Sequence, residues 1–529
     1  MEKQKQAAET GETLYTAMDD RISQLPIPIL HHILCFLSQK EAVRTCLLSK
    51  QWRHIGTTRP NLDFSELWFD TQEKFVSVVD RTLQGYRDQN LSIHKVHLDI
   101  SRPQLAVSLL DKWIPTIPAL KLEFPSYSWS YCILPSAVFL AESLEELHLF
   151  MCRVSPVESV RSKRLRTLTL EWVLINDGTI ENIMLGCPML ERMALFSCQE
   201  LRNVRLVSEG ASRGLKHFEL DDFKGGSIEI DVPNLETVRI KGPWIWSNRQ
   251  SALLFSRLTS LDLNEVILSS ESFDMLSFSC PTLESLTLNN CSGFREFHLA
   301  SDSVKWLTIS TRRTPLKGVT ICAPNIVHFE FTARIPQVPD TFSFTTTTSK
   351  EWDSNVIFHS CEDDPDFDVN WWFLKLRRML KALSGSQISV ILRMNGGPQN
   401  LPCSSAVVGD EPPVAVRDLN FDSCKWRTAS WYMGFMNGLF RVCRPSHVCG
   451  CWFVDKSAGK YRLSAFQLNI LLADKKVRTE PYFWRHDLEQ VFVETLDGQQ
   501  WQLMQWTKPG NLRKRKQDGI IRLRLKWRC

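Results

Sequence analysis

Four side chains of metal-binding type fall within nine residues late in the chain: Cys443, His447, Cys449 and Cys451. Thiolates and imidazoles of this kind hold zinc. The spacing is not the paired C-x-x-C of a structural zinc site, and no second pair stands at a distance. The run therefore reads as a cysteine-rich turn after a helix, and no metal is assigned. Glu362, Asp363 and Asp364 gather three carboxylates in a loop-like stretch, with no partner there to tune a pKa. The phosphate-binding glycine loops, the G-x-S-x-G elbow and the H-E-x-x-H helix are all missing. No catalysis by this chain and no cofactor are expected.

Composition narrows the classes further. The chain has 529 residues and a formal charge of +4, too small at this length to argue for nucleic acid or an anionic membrane. No apolar run approaches the roughly 20 residues of a membrane-spanning helix. Residues 1–19 read as a polar, disordered tail rather than a leader. With no leader, the 16 cysteines point to a reducing compartment, nucleus and/or cytoplasm, and to cysteine as a small buried residue. Lys508–Lys516 and Arg522–Arg528 make residues 508–529 a basic tail. Within it, Arg513–Lys516 reads either as a nuclear import signal or as a solvated tail.

Asp20–Ile55 reads as three short helices. Pro28 suits a first helical turn, and Ile29, Leu30, Ile33, Leu34 and Leu37 follow at helical spacing. Ser38-Gln39-Lys40-Glu41 is a capping box that starts a second helix, with Ala42, Val43, Cys46 and Leu47 on one face. Ser49 caps a third helix holding Trp52 and Ile55. Helices this short cannot bury all their apolar stripes among themselves, and leftover apolar surface implies a partner. Leu25-Pro26, Ile33-Leu34, Phe36-Leu37, Lys40–Thr45 and Leu48–Arg53 together resemble the F-box of the plant F-box/leucine-rich-repeat family. That resemblance implies docking on the Skp-family adaptor of an SCF ubiquitin ligase, and through it on cullin and RING subunits. Carried over by position, the docking residues are Leu25, Pro26, Leu30, Ile33, Leu34, Leu37, Val43, Leu47, Ser49 and Trp52. Ile27 stands where the family usually has an acidic residue.

After an amphipathic helix with Phe75, Val78, Val79, Leu83 and Tyr86, one template recurs: apolar-x-x-apolar-x-apolar. It runs from Ile93-Val96-Leu98 through Leu144-Leu147-Leu149 and Leu258-Leu261-Leu263 to Ile326-Phe329-Phe331. The eleven copies are about 23 residues apart, a leucine-rich-repeat period. Each copy predicts a short strand, and stacked units a curved solenoid. Cys152, Cys198 and Cys291 fill the slot just past the strand, and Cys187, Cys280 and Cys322 sit in C-P or CAPN contexts; burial is expected for them all. The expected fold is α/β: a three-helix F-box (20–60), a curved leucine-rich-repeat solenoid (61–340), and an irregular C-terminal extension. Residues 341–507 are read as continuing the solenoid with long insertions. There Thr341–Lys350, Glu362–Asp368 and Met394–Pro413 are loops, Trp371–Leu383 is a helix, and Asn355–Phe358, Ile388–Leu392 and Val416–Phe421 are strands. Trp371–Leu374, Cys443–Pro445 and Trp484–Leu488 resemble the region that follows the repeats in many members of the family.

Side chains between the strand leucines would face the concave surface, where mixed charge suits a protein partner better than nucleic acid. His148, Arg166, His217 and Arg239 are candidates there, with Trp244 and Trp246 as aromatic anchors. The expected function is substrate recognition for an SCF-type ligase. The alternatives are a repeat scaffold without ligase function and a sensor whose target site a small ligand completes.

Overall fold

The computed structural model describes residues 22, 24–37, 39–102, 107–125, 132–207, 214–243, 245–246, 256–268, 280–347, 351–359, 368–393, 411–422, 429–450, 483–497, 500–503 and 521–528. The chain divides into two compact units. The first is Met1–Gly225 with Glu229–Val232, and the second is Gly226–Ile228 with Pro233–Cys529.

The first unit begins with helices α1 (Ile27–Cys35), α2 (Gln39–Thr45) and α3 (Lys50–Thr57). Pro26 takes the N-cap of α1, whose first turn holds no acidic residue. The Ser49 hydroxyl oxygen accepts the Trp52 N–H at 3.2 Å, the cap expected of it. The Ser38 half of the capping box lies outside the described residues. Asn61 Nδ2, in the first ladder strand, donates to Cys35 Sγ of α1 at 3.3 Å, and His31 Nε2 of α1 lies 3.1 Å from Thr58 Oγ1 at the end of α3. Helix α4 (Gln72–Asp88) buries Phe75, Val79, Leu83 and Tyr86, as its periodicity predicts, while Val78 points outward. The Tyr86 hydroxyl donates to the Arg59 carbonyl at 2.6 Å, so burial, which pushes its pKa up to about 12, leaves no polar atom stranded.

All eleven template copies form strands. In the first unit a parallel ladder starts one repeat earlier, at Asn61–Ser65. It continues through Lys95–Asp99, Ala119–Glu123, Glu146–Phe150, Thr167–Glu171, Arg192–Phe196 and His217–Asp221, each in register with the next. The burial alternation is strict: Leu147 and Leu149 are inside, His148 half out. Backbone groups bracket these strands. At entry, one carbonyl accepts two consecutive N–H groups of the next repeat, as Glu145 O does from Arg166 N (2.7 Å) and Thr167 N (3.0 Å). At the exit of the last four of these strands, the residue past the strand turns into the left-handed region: Met151, Trp172, Ser197 and Asp222 have φ between 49° and 55°. Its N–H still reaches the next repeat, as Ser197 N does to Asp221 O at 2.9 Å.

The second unit repeats the plan from Thr237–Lys241 to His328–Arg334, with Glu265 and Asn290 in the same left-handed place. The parallel ladder then runs on through Asp353–His359, Gln387–Arg393, Val414–Asp422 and Cys443–Gly450. Two helices, Val369–Ala382 and Ala429–Val442, lie between these longer strands. The final strands run antiparallel: Ile521–Trp527 on Cys443–Gly450, Leu488–Asp497 on Ile521–Trp527, and Gln500–Leu503 on Leu488–Asp497. A smaller outer sheet joins Glu296–Ala300, Gly318–Cys322 and Thr341–Thr345 in parallel.

Four expectations need correction. Arg522–Arg528 is not part of a basic tail: Ile521–Trp527 is a strand of the main sheet, with Leu523 and Leu525 buried and its arginines on the alternate face. Thr341–Thr345 is a strand, not a loop; its hydroxyl residues occupy the outer face while Phe342 and Phe344 turn toward Phe329. Cys443, His447 and Cys449 lie along a strand, not in a turn. Cys322 is exposed, because the place three residues before the strand apolar, held by Cys187 and Cys280 elsewhere, falls to the buried Ala323. Cys152, Cys187, Cys280 and Cys291 are buried as expected, and Cys198 is half-buried. Cys198 and Cys291 donate to the Leu170 and Leu263 carbonyls at 3.6 and 3.4 Å, and burial pushes both thiols up to about 12. Glu362–Asp364, residues 394–410, Cys424 and Cys451 lie outside the described residues.

Candidate functional site

The F-box helices close around Leu30, Leu34, Ala42, Trp52 and Ile55, with Leu25, Ile33 and Leu37 packed partly against them. Three of the ten expected docking residues, Leu30, Leu34 and Trp52, are thus core rather than free surface, at 0, 0 and 7 % exposure. They are placed to hold the helices in shape, which corrects their reading as contact residues. Pro26, Val43, Leu47 and Ser49 are exposed. Ala42 does not share a face with Val43 and Leu47; it points in while they point out. The outward set is larger than spacing suggested. Phe36, Leu47 and Leu48 are 78, 82 and 69 % exposed, joined by Ile27, Ile29 and Val43. His32 meets the Phe36 ring edge-on at 5.0 Å. Helix spacing could have found Ile29; Leu48 sits past the end of α2, where periodicity no longer guides.

The second candidate surface is the outward face of the ladder. In the first unit Asp63, His97, Lys121, His148, Thr169, Ala194 and Glu219 form one column across seven strands. His97 stands between two carboxylates, Nδ1 2.8 Å from Asp63 and Nε2 3.1 Å from Glu123. Burial alone would lower its pKa, but the Asp63 hydrogen bond and the two negative charges outweigh that, and the net shift is upward. His148 shifts downward, chiefly from burial; Glu171 lies 3.7 Å away. Arg166 pairs with Glu191 at 3.0 Å, and His217 sits opposite Arg192 in register. His97 was legible: it fills between Val96 and Leu98 the slot that His148 fills between Leu147 and Leu149.

In the second unit Arg239 pairs with Asp262 across neighbouring strands at 3.1 Å. Trp246 lies in a short strand paired with Ile267–Leu268, off the ladder, and Trp244 lies outside the described residues. The ladder face exposes instead Trp306, in register with Ser285 and His328. Further along, Arg417 reaches Asp353 (2.8 Å), Asp418 (2.7 Å), Ser389 (3.2 Å) and Gln387. Asp418 also lies 3.4 Å from His447 Nδ1. His447 is thereby engaged by a carboxylate, and among the described residues no group of three or more His, Cys, Asp or Glu is placed to hold a metal.

Comparison with known proteins bears on both surfaces. The F-box domain family model matches residues 22–63. The model described as FBD-associated F-box protein At5g56370, LRR repeats, matches residues 117–251 and 230–330. The chain belongs to the plant F-box/leucine-rich-repeat family. Similar proteins of this family come from Arabidopsis thaliana. One FBD-associated F-box protein (At5g22720) is 32% identical over 34% of this chain and 40% of its own length. Two F-box/FBD/LRR-repeat proteins, At5g22670 and At5g22700, are 29% and 27% identical over 46% and 47% of this chain and 56% and 60% of theirs. The chain spans about half the length of these relatives. As an F-box/leucine-rich-repeat protein, it presents two surfaces with distinct chemistry, an apolar one on the helices and a charged one on the ladder.

Proposed function

We propose that this F-box protein is the substrate-recognition subunit of an SCF-type ubiquitin ligase. The exposed Phe36, Leu47 and Leu48, raised on a closed helical core, are the observation that carries the reading. Apolar side chains so far out of the core suit burial against a partner. That partner is a Skp-family adaptor, which connects to cullin and RING subunits in the nucleus or cytoplasm. The ladder face of the first unit holds a target protein through its charged column. The chain contributes proximity, not bond chemistry, by raising the effective concentration of target lysines near the conjugating enzyme.

The test is binding of the purified chain to a purified Skp-family adaptor, followed by addition of the cullin–RING pair. A saturable complex that recruits cullin is expected, and removal of residues 22–57 abolishes it. No adaptor binding by the intact chain defeats the proposal. Adaptor binding that never admits cullin defeats its ligase half and favours a scaffold.

A further inference from the structure

Where the strands of the outer sheet in the second unit begin, they border a cavity of about 560 Å³. Its floor is apolar: Phe294, Leu316 and Val338, each buried, with Pro315 beside them. Its rim is basic. Lys317 N donates to Arg295 O at 2.7 Å and Asp340 N to Lys317 O at 2.8 Å, so these three residues sit side by side, one at the head of each strand. Adjacent strands lie roughly 4.8 Å apart, which brings the Arg295 and Lys317 side chains within reach of one bound group. Neither cation has a side-chain partner among the described residues. In the third place Asp340 lies 2.7 Å from the ammonium of Lys375, a lysine of the helix Val369–Ala382 whose side chain is 12% exposed. The Lys375 ammonium also donates to the Val338 carbonyl at 3.3 Å and lies 5.5 Å from the Trp371 ring. Three cations therefore face one carboxylate.

Like charges at neighbouring strand positions repel and weaken a sheet. Arg295 and Lys317 are exposed, and nothing in the packing of the sheet requires them. We infer that the cavity binds a small organic phosphate monoester. The guanidinium fork of Arg295 takes two phosphate oxygens, Lys317 adds a point charge, and the apolar body of the ligand rests on Phe294, Leu316 and Pro315. Asp340 neutralises Lys375 and so limits how much negative charge the site accepts. This site is separate from the F-box surface and from the ladder face, and it stands or falls independently of adaptor binding.

Titration of the full chain with phenyl phosphate, inorganic phosphate and phenol, read by calorimetry and thermal shift, tests the inference. Phenyl phosphate should bind saturably and more tightly than inorganic phosphate, and phenol should not bind. Arg295→Gln with Lys317→Gln should weaken phenyl phosphate by about tenfold or more, while Asp340→Asn tightens it. These changes are at exposed rim positions, and a cooperative melting curve without ligand shows that folding is intact. Absence of saturation, equal affinity in the double variant, or a phenol response equal to that of phenyl phosphate would overturn the inference. So would an acidic hexapeptide that binds better than phenyl phosphate, since it would make this a peptide surface.

Discussion

The inward and outward leucines of the F-box can be separated by one pair of substitutions. Leu34 is fully buried among Leu30, Ala42, Trp52 and Ile55, so Leu34→Ala removes packing that the short helices cannot replace. Deleting a buried leucine side chain costs about 2–5 kcal/mol through lost transfer energy and the cavity left behind. Leu47 is 82% exposed, and Leu47→Ala should change stability by no more than about 0.5 kcal/mol. If Leu47 is buried against an adaptor, the same change forfeits about 1.5–3 kcal/mol of binding, a loss of about tenfold to a hundredfold in affinity. Hydrogen exchange across α1–α3 reads the first effect, and adaptor binding by surface plasmon resonance reads the second. Leu34→Ala should speed exchange throughout the three helices, and Leu47→Ala should leave exchange alone but weaken binding. Loss of protection in Leu47→Ala, or full adaptor affinity in Leu47→Ala with Leu48→Ala, would refute the division between core and docking surface.

The raised pKa of His97 makes its contribution fully present below its unfolded value of about 6.5. That contribution is lost as pH rises through the folded value, so His97→Gln should flatten the fall in melting temperature above pH 6.5. A slope identical to wild type would discount the carboxylate pair. Ser197→Gly should match or exceed wild-type stability because its φ is 49°, whereas Ser197→Val should lose about 1–2 kcal/mol; equal melting points would deny the left-handed exit turn. At Gly438 an added Cβ would run into the Phe373 ring, so Gly438→Ala should cost about 1–3 kcal/mol despite the helix-favouring change, as urea unfolding would show. A gain in stability there would rule out so close a crossing.

The ladder was legible because its period is long and its alternation strict. Leu144, Leu147 and Leu149 announce their strand, and so do their ten counterparts, through burial alone. The outer sheet was not, because Thr341–Thr345 places small hydroxyl residues outward and reads locally as a linker. Its strand state comes from the parallel partner Gly318–Cys322. Cys322 misled for a related reason: the slot is counted from the strand apolar, and the count lands on Ala323. In the F-box, α2 is only seven residues long, less than two full turns. So brief a helix does not fix which way Val43 and Leu47 turn; the packing of Ala42 against α1 and α3 does. The Arg417 cluster draws on residues from 353 to 447, which no local pattern links.

The brackets at the ends of the ladder strands are built from peptide groups: doubly accepting carbonyls at entry and, after six of the strands, a left-handed turn at exit. Peptide groups are indifferent to side-chain identity, so alignment of the strands makes few demands on the outward positions. Those positions act as type set in a fixed frame. His148, Thr169 and Ala194 share one column despite having nothing in common chemically. A protein built this way can exchange its recognition text letter by letter while the frame that carries it stays where it is.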